Sequence, residues 1–68
     1  MKSNNISTFV KTNRKKLGFT QEQFAMYAGV SLSFLRSLEQ GKENLELNSV
    51  NKVLKMFNYE LGPIPRNK

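Results

Sequence analysis

The chain has 68 residues and lacks both cysteine and histidine. Without cysteine it can form neither a disulfide nor a thiolate metal site, and without histidine it lacks the commonest catalytic base and metal ligand. Glutamate alone supplies its five carboxylate side chains, and a chain this short rarely encloses a pocket in which paired carboxylates could act. We therefore expect no enzymatic activity, no metal site and no cofactor.

Long hydrophobic runs are also missing. No apolar segment approaches the roughly 20 residues that span a bilayer. The N-terminus also lacks the apolar core of a signal peptide, because residues 1–5 are polar and the segment after them is amphipathic. We expect a cytoplasmic protein with no membrane segment. The length predicts one domain over residues 1–68, whose small core leaves only a few kcal/mol of net stability.

The charge is unbalanced towards the positive. Eleven lysines and arginines stand against five acidic residues, which gives a formal net charge of +6 and an isoelectric point near 10.0. In a small domain such an excess favours a polyanionic partner, most often nucleic acid. A basic surface that is merely solvated is the alternative, and charge alone does not separate the two.

Helical spacing of apolar residues predicts a first helix over about residues 5–17, ended by Gly18. Its basic last turn complements the helix dipole. Arg14 and the neighbouring lysines should lie mainly off the apolar stripe. The stripe consists of Ile6, Phe9, Val10 and Leu17.

A capping-box spacing opens the second helix, because Thr20 offers a side-chain oxygen and Gln23 follows three residues later. This helix should run over about residues 21–28 and end at Gly29. Ser31 can cap the next helix, so one helix breaks and another restarts about two residues later. A break this short fixes the angle between the two helices.

The third helix has a narrow core-facing side, formed by Leu35 and Leu38, and ends at Gly41. Phe34 falls beside that face, where it could pack on the loop before the fourth helix or lie against a nucleic-acid backbone. The other outward or lateral positions are Leu32, Ser33, Arg36, Ser37 and Gln40.

A fourth helix should begin at a cap on Asn48 and bury one apolar face. That face consists of Val50, Val53, Leu54 and Phe57. Glycine and two prolines over residues 62–65 cannot continue a helix, so a C-terminal extended segment is expected over about residues 58–65. This segment is either a frayed terminus or a short strand, and a lone strand needs a partner. The residues that could pair two subunits through it are Tyr59, Leu61 and Ile64.

Two short helices joined by a tight turn with glycine, over about residues 20–40, are the physical description of a helix-turn-helix. The turn lets the first of them rest across the phosphate backbone while the second enters the major groove. A groove about 12 Å wide just admits a helix, so the outer side chains should be short or flexible. Ser33 and Ser37 meet that demand.

The run LGFTQEQFAMYAGVSLSFLRSLEQGK, residues 17–42, resembles the Cro and lambda-repressor type of helix-turn-helix, also called the xenobiotic-response-element family. The matching segments are Thr20-Gln21, Phe24-Ala25, Gly29-Val30-Ser31 and Leu38-Glu39-Gln40-Gly41. The resemblance implies an all-α, compact lambda-repressor-like domain of four helices. Where that family usually has a fifth helix, the segment YELGPIP is similar to the C-terminal strand of compact HipB-like antitoxins, in which two subunits pair strands.

The resemblance also implies roles for individual side chains. Arg14 and Glu39 match a largely buried ion pair, and Gln21 matches a phosphate contact that the positive end of its helix would support. Gln40 and Lys42 match contacts to the DNA backbone. The full set of positions that match DNA-contacting residues is Gln21, Ser31, Leu32, Ser33, Arg36, Ser37, Gln40 and Lys42.

Each of these roles has a structural alternative. Ser31 could act only as a cap, Gln21 as an ordinary first-turn residue, and Arg36 as a solvated charge. Leu32 could contact a thymine methyl group or seal the turn. Glu39 could be a surface acid, although an unpaired carboxylate on a DNA-facing surface would repel the phosphates.

These implications favour a sequence-specific DNA-binding transcriptional regulator, in the form of an autoregulating repressor. It would bind a palindromic operator through the major groove of double-stranded DNA as a homodimer. The similarity to antitoxins adds a toxin protein as a candidate partner. Two other functions stay open: a toxin-neutralising interaction module that does not read DNA, and an architectural protein that binds DNA without sequence preference. Salt dependence and sequence preference separate them.

Overall fold

A computed structural model describes residues 5–63 of the chain, which form four α-helices and no β-strand. The helices are α1 (Asn5–Lys16), α2 (Gln21–Ala28), α3 (Leu32–Glu39) and α4 (Leu47–Lys55). Their number and order confirm the all-α, four-helix class that the sequence predicts. Within this range, none of the helices has the length and apolar character that crossing a membrane requires.

Apolar side chains from all four helices meet in the core. α3 lies against both α1 and α2, and α2 also lies against α4. Phe24 and Leu35 are fully buried, and the ring of Phe24 stacks on that of Phe57 at a centroid distance of 5.4 Å. Complete burial of such a side chain contributes about 1.5–3 kcal/mol to stability, so these contacts fix α3 against the other helices. The buried apolar residues are Val10, Phe24, Ala25, Leu35, Leu38, Val50, Val53 and Leu54.

The turn between α2 and α3 depends on local caps and a glycine. The Thr20 hydroxyl accepts a hydrogen bond from the Gln23 N–H at 3.1 Å, and the Gln23 side chain accepts one from the Thr20 N–H at 3.0 Å. The predicted capping box is therefore confirmed. Gly29 ends α2 with a left-handed φ of 80°, and the Ser31 hydroxyl starts α3 by accepting from the Phe34 N–H at 3.0 Å. These local signals set where one helix stops and the next begins.

Replacing Gly29 by alanine tests this turn. A Cβ built on Gly29 meets no atom within 4 Å, so the left-handed backbone is the main source of strain. We expect the free energy of unfolding to fall by about 1–2 kcal/mol, as measured by urea denaturation. Gly62→Ala is the control, because Gly62 has equally open surroundings without a positive φ. Its effect should stay below about 0.5 kcal/mol, and equal losses in the two variants would contradict the strain argument.

The apolar stripe predicted for the first helix is wrong in part. α1 ends at Lys16, so Leu17 leaves the helical face and is 53% exposed. Arg14, predicted to lie mainly off the stripe, is buried instead. It follows Val10 by four residues and therefore shares the buried face of α1. A charged side chain in such a place needs a partner inside the protein.

The predicted start of the fourth helix is also wrong. α4 begins at Leu47 with Glu46 as its N-cap residue, so Asn48 lies inside the first turn. The Glu46 side chain makes no capping bond to the backbone and instead accepts a hydrogen bond from the Ser49 hydroxyl at 2.8 Å. Asparagine is a preferred cap and glutamate is not, which is why sequence preference pointed to the wrong residue.

The chain after α4 turns back along the helices. Asn58 adopts a positive φ of 65°. The Tyr59 N–H then donates to the Leu54 oxygen at 3.0 Å, and the Leu61 N–H donates to the Asn51 Oδ1 at 2.8 Å. The Tyr59 ring also packs edge-on against an aromatic ring of α1 at 4.8 Å. The segment is therefore attached to both α1 and α4.

Candidate nucleic-acid interface

The outer face of α3 is polar and basic, whereas its inner face is buried in the core. Leu35 and Leu38 are buried against the other helices. At about 100° per residue, Ser33 and Gln40 point away from these leucines, and both are exposed. Arg36 is exposed on the same side. The exposed or half-buried residues of this outer face are Ser33, Arg36, Ser37 and Gln40.

The other predicted contacts lie at the ends of α2 and α3. Ser31 is exposed and caps α3, and Leu32 beside it is half-buried. Lys42 is exposed beyond the other end of α3, where its backbone N–H donates to the Ser37 oxygen at 3.1 Å. Gln21 is the first residue of α2 and is half-buried. Each of these side chains is at least partly accessible to a ligand.

Arg14 and Glu39 form a buried ion pair that joins α1 to α3. The Arg14 Nε lies 2.7 Å from the Glu39 Oε2, and a second guanidinium nitrogen lies 3.0 Å from the Oε1. The two side chains are only 8% and 4% exposed. The third guanidinium nitrogen donates to the Phe19 carbonyl oxygen at 2.8 Å. Arg14 thus holds the end of α3 and the entry to α2, and a neighbouring carboxylate compensates its charge.

Glu39 has a further partner, which comes from α2. The Gln21 Nε2 donates to the Glu39 Oε1 at 3.1 Å, the same oxygen that accepts from Arg14. The structure therefore brings the predicted phosphate contact and the predicted ion pair into one hydrogen-bond network around a single carboxylate. Spacing in the sequence does not reveal this link, because it depends on how α2 and α3 cross.

The positive charge left for a ligand lies on the surface. Arg14 is compensated by Glu39 and buried, so it adds little to the outer field. Exposed cations are what attract a polyanion from solution. Those of the described residues are Lys11, Lys15, Lys16, Arg36, Lys42, Lys52 and Lys55.

Sequence reasoning also missed the anchoring role of Asn51. This side chain lies beside the apolar face of α4 and is half-buried, and its Oδ1 accepts a hydrogen bond from the Leu61 N–H. A polar residue between Val50 and Val53 is a signal that could have indicated a buried hydrogen bond. Phe34, left between two interpretations, is partly buried and packs against the core.

The residues predicted for dimerisation lie beside an apolar groove. Tyr59 is 58% exposed and Leu61 is half-buried, whereas Ile64 lies outside the described residues. The groove is lined by Tyr59 and Leu61 together with Ile6, Phe9 and Leu54. A partner chain could cover this surface without disturbing α3.

The comparisons with known proteins agree with the geometry of the two central helices. A family model described as helix-turn-helix, of the Cro/C1 type, matches residues 10–64. No curated protein matches the sequence. The matched range includes the capped turn, the outer face of α3 and the Arg14–Glu39 pair. The chain therefore belongs to the Cro/C1-type helix-turn-helix family, whose members are DNA-binding regulators.

Proposed function

We propose that this protein is a sequence-specific transcriptional repressor that binds a palindromic operator as a homodimer and controls its own operon. The outer face of α3 carries the proposal. This face carries short serines and an exposed arginine, opposite the buried leucines of the same helix. Such a surface is suited to entering the major groove and reading base edges. An operator that overlaps the promoter is then blocked to polymerase by occupancy alone.

The proposed DNA contacts divide into those that recognise bases and those that position the protein on the DNA backbone. Arg36 reads a guanine through a two-pronged hydrogen bond, with Ser33 and Ser37 at the neighbouring base pairs. Gln21 and Lys42 lie at the two ends of the motif and hold the phosphates, which fixes the register without reading sequence. This division predicts different responses to substitution in the two groups.

A homodimer is favoured by the affinity that a single copy can reach. One helix-turn-helix unit buries a small interface with DNA. Two-fold pairing doubles the contacts and places half-sites about one helical turn apart. A palindromic operator follows from the same symmetry.

The segment after α4 supports pairing through the backbone. The N–H groups of Tyr59 and Leu61 are directed to α4. Direction alternates along an extended chain, so we infer that the N–H groups of Glu60 and Gly62 face away from α4 and can pair with a second copy. By the same alternation, residue 63 would direct an N–H towards α4, so a proline at this position removes no hydrogen bond between the two copies.

Glu60→Pro tests this pairing. Proline removes the outward N–H of residue 60 in both copies, and the preceding residue is already non-helical. We expect the dimer dissociation constant to rise about tenfold, measured by sedimentation equilibrium. Glu60→Ala, which removes the charge and keeps the N–H, should leave the constant within about twofold. A similar loss in both variants would assign the effect to the side chain instead.

The first experiment for the proposed function is a binding assay. Fluorescence anisotropy compares the duplex immediately upstream of the gene with a scrambled duplex of equal length at physiological salt. We expect preference for the native duplex and a steep fall of the binding constant with salt, because several phosphates are neutralised. Equal binding to both duplexes would indicate an architectural protein, and no binding would leave an interaction module.

A second candidate function is that of an antitoxin that neutralises a toxin protein. The observation in its favour is exposed apolar surface on α2, away from the core. Met26 is 70% exposed and Tyr27 is 62% exposed, with the Tyr27 ring packed on Phe19 at 5.2 Å. Exposed apolar groups of this size are common at protein interfaces. Co-purification with the product of a neighbouring gene is the corresponding test.

A further inference from the structure

We infer that Glu39 is a positioning residue for DNA binding, which orients the Gln21 amide towards the phosphate backbone. This inference rests on the proposed function, in which Gln21 holds a phosphate. It gives Glu39 a role beyond pairing with Arg14. The hydrogen bond from the Gln21 Nε2 to the Glu39 Oε1, at 3.1 Å, is the link between the ion pair and the interface.

The chemistry of the two groups determines which end of the amide faces the carboxylate. An ionised carboxylate only accepts hydrogen bonds, so it can hold the Nε2 of Gln21 but not the Oε1. A primary amide nitrogen carries two N–H groups, and one of them is used by Glu39. The second N–H remains on the same nitrogen and can donate to a phosphate oxygen. A flipped amide would present an oxygen, which repels phosphate.

The carboxylate is itself held in place. Arg14 binds both of its oxygens, at 2.7 and 3.0 Å, and Arg14 is anchored in turn by the Phe19 carbonyl at 2.8 Å. Phe19 immediately precedes the capping box of α2, and Glu39 is the last residue of α3. The network therefore fixes the start of α2 relative to the end of α3. Because the Gln21 amide is already held by Glu39, it loses little conformational entropy when it binds DNA.

A purely structural role and a positioning role of Glu39 predict opposite effects of Glu39→Gln on DNA binding. If Glu39 were only a structural acid, its neutralisation would raise the formal net charge of +6 by one and leave the charge of Arg14 uncompensated. Phosphate binding would then strengthen in any molecules that remain folded. If Glu39 orients Gln21, binding weakens instead, because a glutamine at position 39 can donate to the Gln21 oxygen and allow the flipped amide.

A double-mutant cycle on DNA binding tests the inference. Wild type, Glu39→Gln, Gln21→Met and the double variant are titrated with the upstream duplex, well below the thermal midpoint of the least stable one. Methionine keeps the length of glutamine but has no N–H. Glu22→Gln is the matched charge control, because Glu22 is an exposed acid in the first turn of α2.

We expect Glu39→Gln to weaken binding about fivefold in the wild-type background and not at all in the Gln21→Met background. Gln21→Met alone should weaken binding about fivefold with an unchanged salt slope, since a neutral amide releases no counterion. Glu22→Gln should leave binding unchanged or strengthen it. Stronger binding by Glu39→Gln, or the same loss in both backgrounds, would overturn the inference.

Side-chain amide NMR separates failure of the inference from failure of the proposed function. The two Gln21 amide protons should differ strongly in chemical shift in wild type, because one of them faces a carboxylate, and this difference should collapse in Glu39→Gln. If the signature is present and wild type binds no duplex, the network exists but the proposed function fails, and the positioning role fails with it. If wild type binds the duplex and the signature is absent, the inference alone is overturned.

Discussion

Replacing Glu39 by alanine should lower the free energy of unfolding by about 3–5 kcal/mol, because it leaves a buried guanidinium without its counter-charge. Arg14 is 8% exposed at the side chain and directs two of its nitrogens at Glu39. Alanine at position 39 also removes the acceptor for Gln21. The penalty arises from the unpaired charge, and it exceeds what the ion pair contributes as a net interaction.

A loss of this size is large for so short a chain. Globular proteins have about 0.05–0.15 kcal/mol of stability per residue, which for 68 residues corresponds to roughly 3–10 kcal/mol. The variant should therefore be close to unfolding at room temperature. Urea denaturation followed by far-ultraviolet circular dichroism measures the change directly, and a midpoint equal to that of wild type would remove the ion pair from the list of stabilising contacts.

Two further variants separate the unpaired charge from other causes. Glu43→Ala removes an exposed acid close in sequence and should change stability by less than about 0.5 kcal/mol. The double variant Arg14→Met with Glu39→Leu replaces the pair by apolar groups of similar volume. It should recover most of the lost stability, since such replacements are often neutral. Equal destabilisation of Glu39→Ala and the double variant would instead indicate a packing defect.

The bounds of α2 and α3 were predictable because their signals are local. Thr20, Gly29 and Ser31 each act on residues within one turn of the helix, and the structure has caps at all three positions. α4 lacks such a signal. Its cap residue, Glu46, makes no side-chain bond to the backbone, so preference for asparagine as a cap led to an error of two residues.

Contacts between helices were predictable only in part. The family resemblance implied that Arg14 and Glu39 pair, whereas helical spacing placed Arg14 mainly off the apolar stripe. The bond from Gln21 to Glu39 and the bond from Asn51 to the chain after α4 were not predicted at all. Each requires two groups to approach within about 3 Å, and periodicity in a sequence does not define crossing angles so finely.

Replacing Arg36 by alanine should relax base preference at one position of each half-site while leaving the fold intact. Arg36 is exposed on the outer face of α3, and the structure gives it no part in the core. A two-pronged contact to guanine contributes about 1–3 kcal/mol of discrimination, which is about a 5- to 150-fold preference. Selection from a randomised operator library, before and after the substitution, measures that preference position by position.

Lys42→Ala is the matched comparison, because Lys42 is also an exposed cation but lies beyond the end of α3. We expect it to weaken binding to all duplexes alike and to reduce the salt slope by about one unit per protomer, as loss of a phosphate contact does. Arg36→Ala should instead reduce affinity mainly for the preferred operator, so that preferred and scrambled duplexes become more alike. If Arg36→Ala behaves as Lys42→Ala does, Arg36 holds a phosphate, and base reading must then come from the serines of the same face. An unchanged preference and affinity would make Arg36 a solvated charge, and the outer face of α3 would lose its strongest candidate for reading sequence.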